Sequence, residues 1–121
     1  MTSPTPLTRL APEERLSGAV IHNGLIYLAG QIADDSSLDA QGQMADILQQ
    51  VDALLAEAGT DKSRLISVQI FLADMADMDG MNRAWDLWLD PTNKPARATV
   101  EAKLADPRWK VELTGIAALP E

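Results

Sequence analysis

Arg97 and Glu112 are the residues of this chain best suited to chemistry on a small acid. They lie in the stretch Asn93 to Ala117, NKPARATVEAKLADPRWKVELTGIA, an otherwise small-residue, apolar run that alternates like two strands. Guanidinium offers a planar fork of donors that matches a carboxylate bidentately and stays charged at any working pH. A carboxylate beside it can take a proton from an attacking water, a job worth about 10²–10⁴-fold in rate. The reading places the two side chains on neighbouring strands, facing the same way. Two uses of such a pair stand open: a structural ion pair across adjacent strands, or a site that holds an acid and directs a water.

The elements that must position this pair follow from periodicity. Gly18–His22 and Leu25–Ala29 are strand-like runs joined by Asn23-Gly24, the dipeptide that supplies positive φ for a two-residue hairpin turn. Between Gln41 and Ala58, residues Met44, Ile47, Leu48, Val51, Leu54 and Leu55 recur at helical spacing, and Gly59 marks the stop. Leu65–Leu72 alternates as a strand. A second helix is expected over Met78–Leu89, with Asp77 or Asp79 as its cap and Met78, Met81, Trp85 and Trp88 as its core stripe. Ala96–Lys103 and Lys110–Ala118 are the last two strands. In the first of these, Ala96, Ala98, Val100 and Ala102 are expected to face the helices, leaving Arg97, Thr99 and Glu101 on the uncovered side. The first dozen residues, MTSPTPLTRLAP, read as an extended or disordered lead-in.

The order ββαβαββ predicts an α+β domain, a mixed sheet with two helices on one face. A sheet face left bare, mixed in polarity and rich in small side chains, is a candidate surface for self-association.

Bulk numbers narrow the function. The 121 residues suit one domain over 1–121, and 46% apolar against 23% charged composition is that of a folding chain. A net charge of −8 with no basic cluster argues against a nucleic-acid partner. There is no cysteine, and the single histidine, His22, reads as an exposed hairpin residue, so no metal site is expected. The acids around Asp34-Asp35 and from Asp74 to Asp90 lack the spacing of a calcium loop and read as a solvated face. With no signal-peptide pattern and no membrane-length apolar run, the expectation is a cytoplasmic protein without membrane partners.

The motifs RLSGAVIHNGLIYLAGQIA, LLAEAGTDKSRLISVQIFLADM, MNRAW, PARATVEAKL and KVELTGIA, spanning Arg15 to Ala118, together resemble the RidA/YjgF family of small imine deaminases. The resemblance implies a chorismate-mutase-like fold, assembled as a homotrimer with a central barrel of sheets, helices outside and three clefts between subunits. It implies hydrolysis of reactive enamine and imine intermediates, such as 2-aminoacrylate, to 2-oxo acids and ammonia, with no cofactor. Arg97 would bind the substrate carboxylate and Glu112 would orient the hydrolytic water. The backbone N–H of Thr99, with Gly30 and Asn82, would complete the pocket.

Three departures bear on substrate preference. Thr99 stands where these proteins often carry cysteine, Glu14-Arg15-Leu16-Ser17 offers no aromatic at the start of the first strand, and Leu104-Ala105-Asp106-Pro107-Arg108-Trp109 replaces a Leu-Pro turn. Two rival readings keep the fold and drop the chemistry: a sensor that binds a small carboxylate such as a 2-oxo acid, and a protein-interaction trimer. Ribonuclease activity is disfavoured by the acidic charge and the lack of a histidine pair.

Overall fold

The computed structural model describes residues 6–121. Within them the chain runs β1 (Thr8–Pro12), β2 (Ser17–His22), β3 (Leu25–Gln31), α1 (Ala40–Glu57), β4 (Leu65–Leu72), α2 (Met78–Trp88), β5 (Ala96–Glu101) and β6 (Val111–Ala118). Short 3₁₀ turns at Lys62–Arg64 and Met75–Asp77 lead into β4 and α2. One six-stranded sheet carries all the strands, in the order β1-β2-β3-β6-β4-β5.

The Asn23-Gly24 turn forms as its residue types require. Both sit at positive φ, 51° and 76°, and close the β2–β3 hairpin with His22 opposite Leu25. Helix α1 starts on Asp39, whose carboxylate accepts the Gly42 N–H at 2.8 Å. It stops at Gly59, where φ of 86° lets the Gly59 and Thr60 N–H groups turn back to Ala56 and Leu55. Helix α2 gets no side-chain cap from Asp77; the capping carboxylate is Asp74, which accepts the Ala76 N–H at 2.9 Å and caps the 3₁₀ turn leading in.

The lead-in expectation is corrected. Residues 1–5 lie outside the described residues, but Thr8–Pro12 is a strand paired antiparallel with β2, Leu10 opposite Ala19 and Pro12 opposite Ser17. Proline is tolerated there because β1 is an edge strand and needs no donor on its free side.

Both helices pack on one sheet face. The core joins Met44, Ile47, Leu48, Val51 and Leu55 of α1 and Met81, Ala84 and Trp85 of α2 to Ile26 and Leu28, Val68, Ile70 and Leu72, and Val111 and Leu113. Each such fully buried large side chain contributes about 1.5–3 kcal/mol. Strand β6 alternates: Val111, Leu113, Gly115 and Ala117 are buried under the helices, and Glu112, Thr114 and Ile116 face the open side. Among the described residues no helix is long and apolar enough to cross a membrane.

The facing of β5 is the reverse of the expectation. Strand β5 pairs with β4 in parallel, Val68 beside Arg97, Ile70 beside Thr99 and Leu72 beside Glu101. Paired residues share a face, and Val68, Ile70 and Leu72 are core residues under the helices. Arg97, Thr99 and Glu101 therefore lie on the helix face, and Ala96, Ala98 and Val100 on the open one. The small apolar row looked like core, yet β5 is an edge strand that the helices leave largely exposed. Arg97 and Glu101 stay exposed even on the helix side, and Thr99 between them is partly covered.

Candidate functional site

The structure gathers the five candidate residues into two groups. The first is built by β5 and α2. Arg97 donates from Nη1 to Asn82 Oδ1 at 2.8 Å, and its Cζ lies 5.3 Å from the centroid of the Trp85 ring. Asn82 and Trp85 stand one turn apart on α2, at a spacing that puts both on the face turned to β5. Thr99 follows two residues along the same face. Its Oγ1 is buried and, among the described residues, has no hydrogen-bond partner.

The second group is built by β3 and β6 on the open side. The β3–β6 register shifts between Leu28 and Gln31, a bulge that brings the Gly30 backbone close to Glu112. A Cβ at Gly30 would lie 2.5 Å from Glu112 Oε2 and 3.0 Å from its Cδ. Only glycine leaves the carboxylate room to lie across β3. On the side of Gly30 turned to α1, away from the open face, lies a cavity of about 420 Å³, bordered by Glu13, Leu16 and Gly18 and by Gln50, Ala53 and Leu54 of α1. The open sheet face itself forms a broad concavity of about 490 Å³, lined by Tyr27, Ser67, Gln69, Ala98, Thr114 and Ile116. Tyr27 at 41% and Val100 at 40% exposure leave apolar surface on that side uncovered.

The expected arrangement of the pair is thus corrected twice. Strands β5 and β6 are not neighbours, because β4 lies between them. Glu112 pairs with Phe71 on the open face, whereas Arg97 pairs with Val68 on the helix face. Within one chain the guanidinium and the carboxylate occupy opposite sides of the sheet. A structural ion pair between them is excluded; the ion pair found among the described residues is Arg108 with Asp106, at 2.8 Å.

The perturbed carboxyl groups lie away from both groups. The Arg108 side chain, by its hydrogen bonds, lowers the Asp106 pKa to about 2 in the connection before β6. Hydrogen bonds from the Ser37 and Ser63 hydroxyls hold Asp35 and Asp61 below the ordinary value, and the Asn93 amide does the same for Asp90. Among the described residues no three His, Asp or Glu side chains converge as metal ligands. Sequence reasoning took Trp85 only as helix core. The missed signal is the Asn-x-x-Trp spacing in MNRAW, which puts an amide and an aromatic ring on one helical face.

Comparison with known proteins gives this geometry its setting. The family model described as Endoribonuclease L-PSP matches residues 6–119. A RutC family protein of Haemophilus ducreyi is 47% identical over 113 residues, covering 93% of this chain and 97% of the relative. The RutC family protein YoaB of Escherichia coli is 41% identical, covering 93% and 98%. The crystal structure of a YjgF family member from Neisseria meningitidis superposes with a TM-score of 0.93 at 40% identity, covering 97% of this chain and 98% of that one. The family model, the relatives and the superposed structure agree over nearly the whole chain, and the chain belongs to the RidA/YjgF family, the group of the RutC and L-PSP proteins.

Proposed function

We propose that this chain hydrolyses α-imino acids and their enamine forms, 2-aminoacrylate among them, to 2-oxo acids and ammonia, in clefts where two copies meet. Arg97 binds the substrate carboxylate. Glu112 of the neighbouring copy accepts a proton from water as the oxygen attacks the C=N carbon, giving a tetrahedral carbinolamine. Glu112 returns that proton to nitrogen, the C–N bond breaks as the hydroxyl gives its own proton to the carboxylate, and ammonia leaves the 2-oxo acid. One water enters and one ammonia departs; an enamine joins this route once its β-carbon is protonated to give the imine. The carboxylate also favours the protonated iminium, the better electrophile. The Thr99 N–H and the Gly30 backbone border the reacting atoms, and fixing acid and water together supplies much of the remaining rate.

The observation that carries this reading is that Arg97 is exposed, fastened by Asn82 on one side, and without a carboxylate partner among the described residues. A cation held in this way is prepared for an anion from outside. The opposite facing of Arg97 and Glu112 requires that any shared site draw them from different copies. The uncovered, partly apolar open face is the surface such an assembly would bury, and a trimeric ring in which one copy's Arg97 edge meets the next copy's Glu112 satisfies both demands. The test couples an amino-acid dehydratase or oxidase to chemical trapping of the imine. Wild type should speed oxo-acid formation, and Arg97→Ala should do so far less at low substrate; no acceleration by wild type would end the enzyme reading.

A carboxylate sensor is the second reading, favoured by one observation: the Arg97, Asn82 and Trp85 group is complete within a single chain. It predicts a rise in melting temperature with 2-oxobutyrate that Arg97→Ala abolishes, without turnover. The names borne by relatives point to other activities, including a putative translation initiation inhibitor from Salmonella typhimurium. For this chain, ribonuclease chemistry is opposed by the −8 charge and by a lone histidine placed at the hairpin turn.

A further inference from the structure

We propose that Trp85 is a positioning residue for the acid-binding arginine, its indole face holding the Arg97 guanidinium so that the part of the fork not taken by Asn82 meets the ligand. The proposal rests on the reading of Arg97 as the carboxylate anchor and adds what fixes its orientation. Arg97 projects from an edge strand and is exposed, so its long side chain would sample many rotamers in the absence of local contacts. Two contacts restrain it. Asn82 takes an Nη1 hydrogen, which sets the direction of the fork, and the Trp85 ring, 5.3 Å from Cζ, sets its plane. No other acceptor among the described residues takes a hydrogen from this guanidinium.

The indole is itself immobilised. Trp85 is 5% exposed, and its ring packs against Trp88 at 5.7 Å between centroids with a 47° tilt. Trp88 in turn donates from Nε1 to Asp52 of α1 at 2.9 Å and carries the Lys62 ammonium 5.1 Å from its ring centroid. A row Asp52, Trp88, Trp85, Arg97 thus runs from the helix layer to the edge of the sheet. An indole has the most strongly attracting π-face of the natural side chains, and a leucine filling the same space would keep the packing but lose that attraction.

The experiment compares Trp85→Leu, Trp85→Phe and Arg97→Ala for KM and kcat in the coupled imine assay, and for 2-oxobutyrate affinity by calorimetry. Melting curves establish that each variant is folded. Trp85→Leu should raise KM and the 2-oxobutyrate Kd by about two- to fivefold with kcat little changed, and Trp85→Phe should recover most of the loss. Where Trp85→Leu folds poorly, a Trp88→Phe, Trp109→Phe chain carrying mono-, di- and trifluorinated tryptophan at position 85 decides, since fluorine drains the π-face at nearly constant size. Affinity for 2-oxobutyrate should then fall stepwise. Unchanged KM and Kd in the folded variants or the fluorinated series, with Arg97→Ala impaired, would overturn the role of Trp85 alone. Unchanged values in Arg97→Ala itself would overturn the anchor reading beneath it.

Discussion

The Arg97 group and the Glu112 group are held by opposite means. Arg97 stands on an exposed edge strand and is fixed by side chains that reach it from α2, an amide and an indole. Glu112 stands on β6, between β3 and β4 in the sheet, half-buried, and lies in the space left by the missing side chain at Gly30, beside the β3–β6 bulge. Under the proposed function, changes on α2 would alter how the acid is held, and changes at Gly30 would alter where the Glu112 carboxylate lies.

Four substitutions sharpen this contrast, from the largest effect to the smallest. Glu112→Gln should cut kcat by about 10²–10⁴-fold with KM nearly unchanged, since it removes the proton acceptor and keeps the shape; steady-state kinetics in the coupled assay would show it. Arg97→Ala should act mainly through KM and 2-oxobutyrate affinity, by about 10- to 100-fold, the worth of a charge-assisted hydrogen-bond pair. Gly30→Ala places a Cβ against Glu112 Oε2, the far end of a flexible side chain, so the carboxylate should swing aside. Activity should fall by about tenfold with the melting temperature little changed, because Gly30 is not at positive φ and alanine fits the backbone. Asn82→Ala should weaken 2-oxobutyrate binding by about two- to tenfold, as the loss of one hydrogen bond that sets the fork.

Acid titration tests the surface away from the site, at Asp106. Asp106 is lowered from 3.8 to about 2 in the folded chain by Arg108. A depressed carboxyl stabilises the fold at pH above its unfolded value and loses that contribution as pH falls through the folded one. The ion pair is exposed, so the effect on stability is small. Carboxyl-carbon NMR should find Asp106 titrating near 2, and Arg108→Ala should return it toward 3.8.

Much of the fold was legible because local rules and packing agreed. Asn23-Gly24 demanded a tight hairpin, and the α1 stripe from Met44 to Leu55 could be nothing but one buried helix face. The failures fell at the sheet edges. Thr8–Pro12 read as lead-in because prolines usually break strands, and an edge strand excuses them. For β5, Ala96, Ala98 and Val100 looked like core. The alternation itself was read correctly, but which side it faces depends on the register with β4, a non-local pairing invisible in residues 96–103. That single inversion moved Arg97 across the sheet from Glu112. Gly30 and Asn82 were found through family motifs, with Gly30 against Glu112 and Asn82 on Arg97; the role of the Trp85 ring needed coordinates, since a buried tryptophan on a helix stripe looks the same whether or not a cation rests on it.

The central claim is that Arg97 of one copy and Glu112 of another serve one substrate. Arg97→Ala and Glu112→Gln chains, each strongly impaired alone at substrate well below the wild-type KM, are unfolded together in equal amounts, refolded and assayed at that concentration. Random assembly leaves about a quarter of the seams with both functional residues, so activity should return to about a quarter of wild type. A mixture no more active than its two parents would contradict the account.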